Sequence, residues 1–311
     1  MTPCFRCNSQ PDCSDLSDEF DCKKIDPGLS YKNFITPPPL RLNRTERDVK
    51  ITVAISADII SILDIDEIDS IFHVQFLLHL TWYDSRLKFY NLKTDTGLNT
   101  LSPAEKKEIW KPILVFENTE LKESTAVDED ASLTITKAGD FLLSEMEKVE
   151  NQQTFAGDEN SITLSRFYNT RFICNYNMQW YPFDIQVCDL TLSLKGKSSD
   201  FARLKTEVLQ YLGVLEVNQY VVTNFSMLVR DQGPGNSDLK ISIVLGRKLL
   251  TIVLTTFVPT VLLSMISFST NHFKNFFFEA IVTVNLTVLL VLTNLFITVI
   301  FTFLLWISSC I

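Results

Sequence analysis

The sequence predicts a mainly β, immunoglobulin-like sandwich followed by transmembrane α-helices, with a small cysteine-rich module ahead of both. Three observations predict it. Short segments of strand composition recur from about Arg47 to Gly246, and alternating apolar and polar residues are the period-two mark of half-buried strands. Two long apolar runs follow, and the only fully charged residues between Leu249 and Ile311 are Lys274 and Glu279. That is a change of solvent from water to lipid. Four of the seven cysteines, Cys4, Cys7, Cys13 and Cys22, crowd the first 22 residues.

Taken in order, residues 1–24 form the cysteine module. Residues 25–45 read as a linker, because Pro27 and Pro37-Pro38-Pro39 leave no room for a central strand. Residues 46–247 carry the sandwich. Its strands are read from "VKITVAISADIISIL", "FHVQFLLHLTW", "ITLSRFYNTRFICNY", "FDIQVCDLTLSL", "YVVTNFSMLVR" and "LKISIVL". Many strands at this spacing, separated by turn-like stretches such as "RDQGPGNSD", suggest two packed sheets. "LSPAEKKEI", 101–109, reads as one or two helical turns. Residues 248–311 form the membrane region, with helix 1 over about 249–269, broken by Pro259, and a second helix over about 280–300.

The bulk numbers exclude some functions. The net charge is -9 over 311 residues, which argues against nucleic acid as a partner. No phosphate-cradling glycine loop, HExxH helix or nucleophile–base pairing is present, so the chain is not read as an enzyme. Clustered cysteines beside membrane segments point to an oxidising, extracellular compartment. The sequons at Asn43 and Asn224 agree as candidate glycosylation sites. Asn285 also begins a sequon, but inside an apolar run where glycosylation is not expected.

Thr283, Thr287, Leu290, Asn294 and Thr298 recur at +4, +3, +4 and +4, one face of an α-helix. Lipid offers such a polar stripe nothing, whereas a water-filled lumen does. The competing reading is helix–helix packing through small polar residues. Asn285 and the lumen-facing Thr and Asn residues each need a protein surround, at about 1 kcal/mol or more per unsatisfied group.

Two stretches resemble known families. Cys7 to Cys22 reads CNSQPDCSDLSDEFDC, similar to the second half of an LDL-receptor class A repeat. That resemblance implies one calcium ion held by Asn8, Asp12, Asp18 and Glu19, with Asn8 replacing the usual Asp. Cys174 and Cys188 enclose thirteen residues, and within them Tyr181-Pro182-Phe183-Asp184, then Gln186, resemble the core of the Cys-loop receptors, pentameric ligand-gated ion channels. Trp82-Tyr-Asp84-Ser-Arg86-Leu87, Trp110-Lys-Pro112 and Pro259 match in the same order. The run Leu286 to Thr293 resembles that family's second membrane helix.

The Cys-loop resemblance implies a Cys174–Cys188 disulfide worth about 3 kcal/mol. It implies a coupling set of Tyr181, Pro182, Phe183, Asp184 and Arg247 facing the membrane. The lining of the pore would be Glu279, Thr283, Thr287, Leu290, Asn294 and Thr298, with Leu290 at the gate. Ion selectivity stays open, because Phe278-Glu279-Ala280-Ile281 completes neither the cation nor the anion pattern. Partners implied are other subunits of a homo- or hetero-pentamer, membrane lipid and a small extracellular ligand bound between subunits. The protein would sit in the cell membrane as a multi-pass chain with its N-terminal domain outside.

Positions that would line the ligand pocket lack the family's aromatic cage: Leu77, Glu117 and Lys195 stand there, with His79 beside Leu77. A lysine repels ammonium groups, so acetylcholine is not expected, and protons or a metal ion are the sharper candidates. His73 and His79 are six residues apart on one strand, too far to share a metal, and read as ordinary strand residues. The family has four membrane helices and a signal peptide. The resemblance fails after Thr298 and nothing before Cys4 reads as a signal, so the chain is expected to be truncated at both ends. A non-conducting or dominant-negative subunit is the alternative function.

Overall fold

The computed structural model describes residues 13, 15, 23–39, 50–119, 131–140, 153–194, 201–231, 237–270, 272 and 278–309. Strands β2 (Ile51–Asp66), β3 (Ile71–Trp82), β6 (Ser132–Thr136), β8 (Ser161–Ile173) and β10 (Ala202–Tyr211) form one sheet, in the order β10-β2-β3-β8-β6. Strands β5 (Leu114–Phe116), β9 (Ile185–Leu194), β11 (Glu216–Val217), β12 (Tyr220–Asp231) and β13 (Ser237–Arg247) form the second, in the order β11-β12-β13-β9-β5. β10 joins β2 in parallel, and the other pairings within these two sheets are antiparallel.

Alternation decides the faces. Along β3 every second residue, from Phe72 to Trp82, is buried, because a strand turns successive side chains to opposite sides. The core between the sheets holds an aromatic group. The Phe76 and Tyr168 rings stack at 5.4 Å, and Phe116 and Phe172 meet Phe76 at 6.0 and 6.1 Å, separations in the favourable range for offset and edge contacts.

Residues read as linker lie against the sandwich. β1 (Ile25–Asp26) pairs at the edge of a small sheet with β4 (Lys88–Tyr90), which pairs in turn with β7 (Thr154–Ala156). The Tyr31 hydroxyl donates to Asp84 at 3.0 Å and accepts from the Trp110 N–H at 2.8 Å. Asp84 is fully buried and takes two bonds from the Arg86 guanidinium, at 2.8 and 2.7 Å. The acid and base of Trp82-Tyr-Asp84-Ser-Arg86 therefore clasp the segment read as linker, at Tyr31 and Ile35, and Trp82 meets Trp110 edge-on at 6.0 Å.

The sequence's short helix is α1 (Pro103–Glu108). Ser102 caps it in a capping box with Glu105, and proline opens it, the arrangement that satisfies the first free amides.

Gly157 shows how tightly this corner packs. A Cβ there would meet the carbonyl oxygens of Asp84 at 2.2 Å and Leu87 at 2.6 Å, backbone atoms that cannot rotate away. Gly157→Ala is expected to cost about 1–3 kcal/mol. A denaturant midpoint unchanged from the parent would contradict this packing.

After Arg247 the chain enters two apolar helical stretches. α2 (Leu249–Ile252) passes through a π-helical turn, Val253–Phe257, into α3 (Val258–Thr270). Proline lacks an N–H and its ring crowds the carbonyl four residues back, so the wider turn before Pro259 absorbs the clash. α4 (Phe278–Ser309) runs 32 residues, further at both ends than the 280–300 expected. No glycine or proline occurs in it to stop it. Val253–Thr270 and Phe278–Ile297 are apolar and long enough to cross a membrane.

Candidate functional site

Arg247 ends β13, two residues before the first apolar helix. Its side chain is 1% exposed, and such burial demands partners. Nε donates to Asp184 Oδ1 at 2.8 Å and Nη2 to Oδ2 at 2.9 Å, a two-pronged pair. Nη1 reaches Glu67 at 2.9 Å and Gln219 at 3.2 Å. Nη2 also donates to the Tyr220 hydroxyl, which donates onward to Glu67 at 2.6 Å. The guanidinium lies 4.5 Å from the Tyr220 ring and 4.9 Å from that of Tyr181, where cation–π attraction adds to the ion pairs.

Each partner comes from a different part of the fold. Asp184 belongs to the loop between β8 and β9 that the Cys174–Cys188 disulfide closes, with Cα atoms 5.2 Å apart. Glu67 belongs to the turn between β2 and β3. Tyr220 opens β12 and pairs with Arg247 across the hairpin. The loop is held to the turn as well: the Cys174 N–H donates to Ser70 O at 2.8 Å and the Tyr176 hydroxyl to Ile71 O at 3.0 Å. Inside the loop, Gln186 donates to Asp184 at 2.6 Å and accepts from the Asn177 N–H at 2.8 Å.

Electrostatics keeps this group charged. Burial alone would raise the Asp184 carboxyl, but hydrogen bonds from Arg247 and Gln186, with the Arg247 charge, hold it below the ordinary range. Burial and its bond to Glu67 push Tyr220 up. Arg247 is held further toward its charged form, since its bonds to Asp184 and Glu67 outweigh desolvation.

Of the coupling residues read from sequence, Asp184, Tyr181 and Arg247 meet in this cluster. Phe183 is exposed instead, as is Trp180, leaving an apolar tip. Pro182 follows a cis peptide bond between the two. Glu67, Gln219 and Tyr220 were missed. Their only signal is a carboxylate in the turn "DIDEIDS" and an aromatic 27 residues before Arg247.

In the second membrane helix, Val284, Asn285 and Val288 lie on a less exposed side, while Thr283, Thr287, Leu290 and Asn294 are exposed. At 100° per residue the two sets point well apart. Asn285 has partners: its Oδ1 accepts from Ser267 at 2.8 Å and Thr270 at 3.2 Å, both on the first helix. The hydroxyls of Thr283 and Thr287 bond the Glu279 and Val284 carbonyls of their own helix at 2.8 Å. The Asn285 carbonyl oxygen and both threonine hydroxyls therefore find partners within the two helices. Glu279 is exposed in the first turn, and the side chain of Thr298 lies outside the described residues.

The ligand-pocket positions are split between sheets. Leu77 and His79 face outward on β3. Beside them lie Asp58, 3.5 Å from His79 Nε2, and Ser165, 2.7 Å from Nδ1. Exposed Phe167, opposite Leu77, is an aromatic the sequence reading missed. His73 Nε2 bonds Asn169 at 2.7 Å. Glu117 follows β5 on the other sheet, bonded to Ser193, and its charge together with burial raises the Asp238 carboxyl. Arg230 and Asp238 pair across the hairpin, and so do Asp231 and Ser237, so both ends of the turn-like stretch RDQGPGNSD belong to strands. Asn224 is exposed on β12. Asn8, Asp12, Asp18, Glu19, Asn43 and Lys195 lie outside the described residues; Cys13 is disulfide-bonded. Among the described residues no group of three or more His, Cys, Asp or Glu is placed to hold a metal.

Comparison with known proteins agrees with this layout. The family described as "Neurotransmitter-gated ion-channel ligand binding domain" matches residues 30–230. The chain is 24% identical over 293 residues to gamma-aminobutyric acid receptor subunit theta of Mus musculus, covering 91% of this chain and 41% of the relative. It is 24% identical over 255 residues to gamma-aminobutyric acid receptor subunit beta of Lymnaea stagnalis, covering 75% of this chain and 46% of that relative. The chain thus spans less than half the length of the curated relatives it matches. With a sandwich matched over most of its length and ended by Arg247 at the foot of an apolar helix, the chain belongs to the neurotransmitter-gated ion-channel family, the Cys-loop receptors.

Proposed function

We propose that this chain is a subunit of an extracellular ligand-gated ion channel. It assembles with other subunits, alike or different, in a pentamer that crosses the cell membrane, and the second apolar helix lines the pore. Arg247 carries this reading. Buried and shared between Asp184, Glu67 and Tyr220, it ties the disulfide-closed loop and the β2–β3 turn to the strand that becomes the first membrane helix. Movement of the sandwich then reaches the membrane through one ion-paired joint. Leu77 and Glu117 belong to different sheets of one chain, which supports a pocket shared between two subunits. Within the proposal, the N-terminal module holds calcium through Asn8, Asp12, Asp18 and Glu19, a role supported by the motif alone.

The ligand on this reading is small and is not acetylcholine. Leu77 and Glu117 are not aromatic, and Phe167 opposite Leu77 offers an ammonium group one ring rather than a cage. The test is recording from a homomer of a subunit carrying this sequence, across a panel of transmitters, metals and pH. The expected outcome is no acetylcholine current at normal surface expression. A saturable low-micromolar acetylcholine current would contradict the pocket assignment.

A further inference from the structure

The second sheet exposes an apolar strip near the end of β13 that leads into the first apolar helix. On β9, Ile185 and Val187 point outward, 66% and 48% exposed. Val187 pairs with Val244 of β13, and Val244 pairs with Asn224 of β12. Directly opposed residues share a face of the sheet, so two valines and an asparagine form one row. In the row beside it Ile185 stands opposite Gly246, which has no side chain to cover it.

β12 is also an edge. β11 pairs with it only at Tyr220 and Val221. From Thr223 to Asp231, β13 is its single strand partner among the described residues. An open edge beside exposed apolar residues invites pairing with another chain, and proteins cover such edges. β12 lies three strands from β5, which Glu117 follows, so this edge is the far side of the sheet from that pocket position.

Asn224 begins the sequon Asn224-Phe225-Ser226. The ladder register shifts between Val222 and Asn224, a bulge that bends the strand and leaves Thr223 as the extra residue. Phe225 turns to the other side and stacks on Tyr211 at 6.0 Å. Asn224 and Ser226 are both exposed, so the acceptor amide and the hydroxyl that the sequon requires share the open face. Asn224 Oδ1 accepts from the Phe225 N–H at 2.8 Å, which ties the oxygen to the strand and leaves Nδ2 to carry a substituent.

We infer that Asn224 carries an N-linked oligosaccharide that lies over the Val244–Val187 row and closes the edge of β12. The donor is an oligosaccharide on a lipid diphosphate. Its anomeric C1–O bond to the diphosphate breaks as Nδ2 bonds to C1. The lipid diphosphate leaves with the electron pair of that bond, and the amide gives up one proton. Neighbouring strands are about 4.8 Å apart, so Val187 lies about 10 Å from Asn224, a span that the sugars nearest the protein cover. A bulky, solubilising chain there replaces exposed valine with hydrated surface. The inference rests on the extracellular placement of the sandwich in the proposed function.

The test expresses the full chain in eukaryotic cells behind a cleavable secretion leader. Readouts are N-glycosidase digestion, mass spectrometry of the unreduced protein, and size-exclusion chromatography in detergent. The parent is expected to carry one more glycan than Asn224→Gln or Ser226→Ala, and Ser226→Thr to keep it. Losing the glycan is expected to raise the aggregated fraction severalfold. Adding Ile185→Thr and Val187→Thr to Asn224→Gln is expected to return that fraction to the parent level. Equal glycan number in parent and Asn224→Gln, with the Cys174–Cys188 disulfide formed, would overturn the inference and leave the extracellular reading standing. Absence of both glycan and disulfide would overturn the two together. Aggregation that is unchanged in Asn224→Gln, or that the threonines do not reverse, would overturn the covering of the strip.

Discussion

Arg247→Gln is expected to destabilise the sandwich by about 3–5 kcal/mol, because it leaves Asp184 buried without its counter-charge. Asp184→Asn is the milder partner, since asparagine keeps the shape and accepts one bond. The pH dependence has a definite sign. Asp184 titrates below the ordinary carboxylate range when folded. Its contribution is therefore fully present above the unfolded value near pH 4 and is lost as pH falls through the depressed folded value. Acid unfolding of the parent should show this loss, and Asp184→Asn should remove that part of the slope. Equal acid sensitivity in both would mean that the pair does not hold the loop. In an assembled channel, Arg247→Gln is also expected to leave ligand bound but the pore closed.

Leu290→Ser is the second large effect. Leu290 stands on the exposed side of the second membrane helix, well away from Val284 and Val288. In a ring of subunits a leucine girdle closes by excluding water, and a hydroxyl there favours wetting. The expected result is spontaneous current, or ligand sensitivity raised by about tenfold, equal to ~1.4 kcal/mol in the open–closed balance. Normal surface expression with neither change would place the lumen on another face of the helix.

Much of this was legible in the sequence, for physical reasons that also explain what was not. β2, β3 and β9 alternate so regularly that their buried faces could be read directly. From 249 onward only Lys274 and Glu279 are fully charged, which marked the helices. β10 escaped because it lies at a sheet edge and turns Arg203, Lys205 and Glu207 outward, so its apolar half is thin. β5, β6 and β7 are three to five residues long, too short for periodicity to register. Arg247 and Asp184 were found through motifs. Glu67 was not, because a contact across 180 residues leaves no local pattern. The π-helical turn before Pro259 shows the reverse case: the proline was visible, but how the backbone would accommodate it was not.

On the proposed reading, the sandwich moves the membrane helix through the Arg247–Asp184 pair. A double-mutant cycle tests it most directly: Asp184→Asn, Arg247→Gln and the pair together, in a channel subunit carrying this sequence, with gating and surface expression measured for each. If the pair acts as one joint, each single change impairs gating and the double change is no worse than the more severe single. Gating losses that simply add, or normal gating in Arg247→Gln at normal expression, would contradict it.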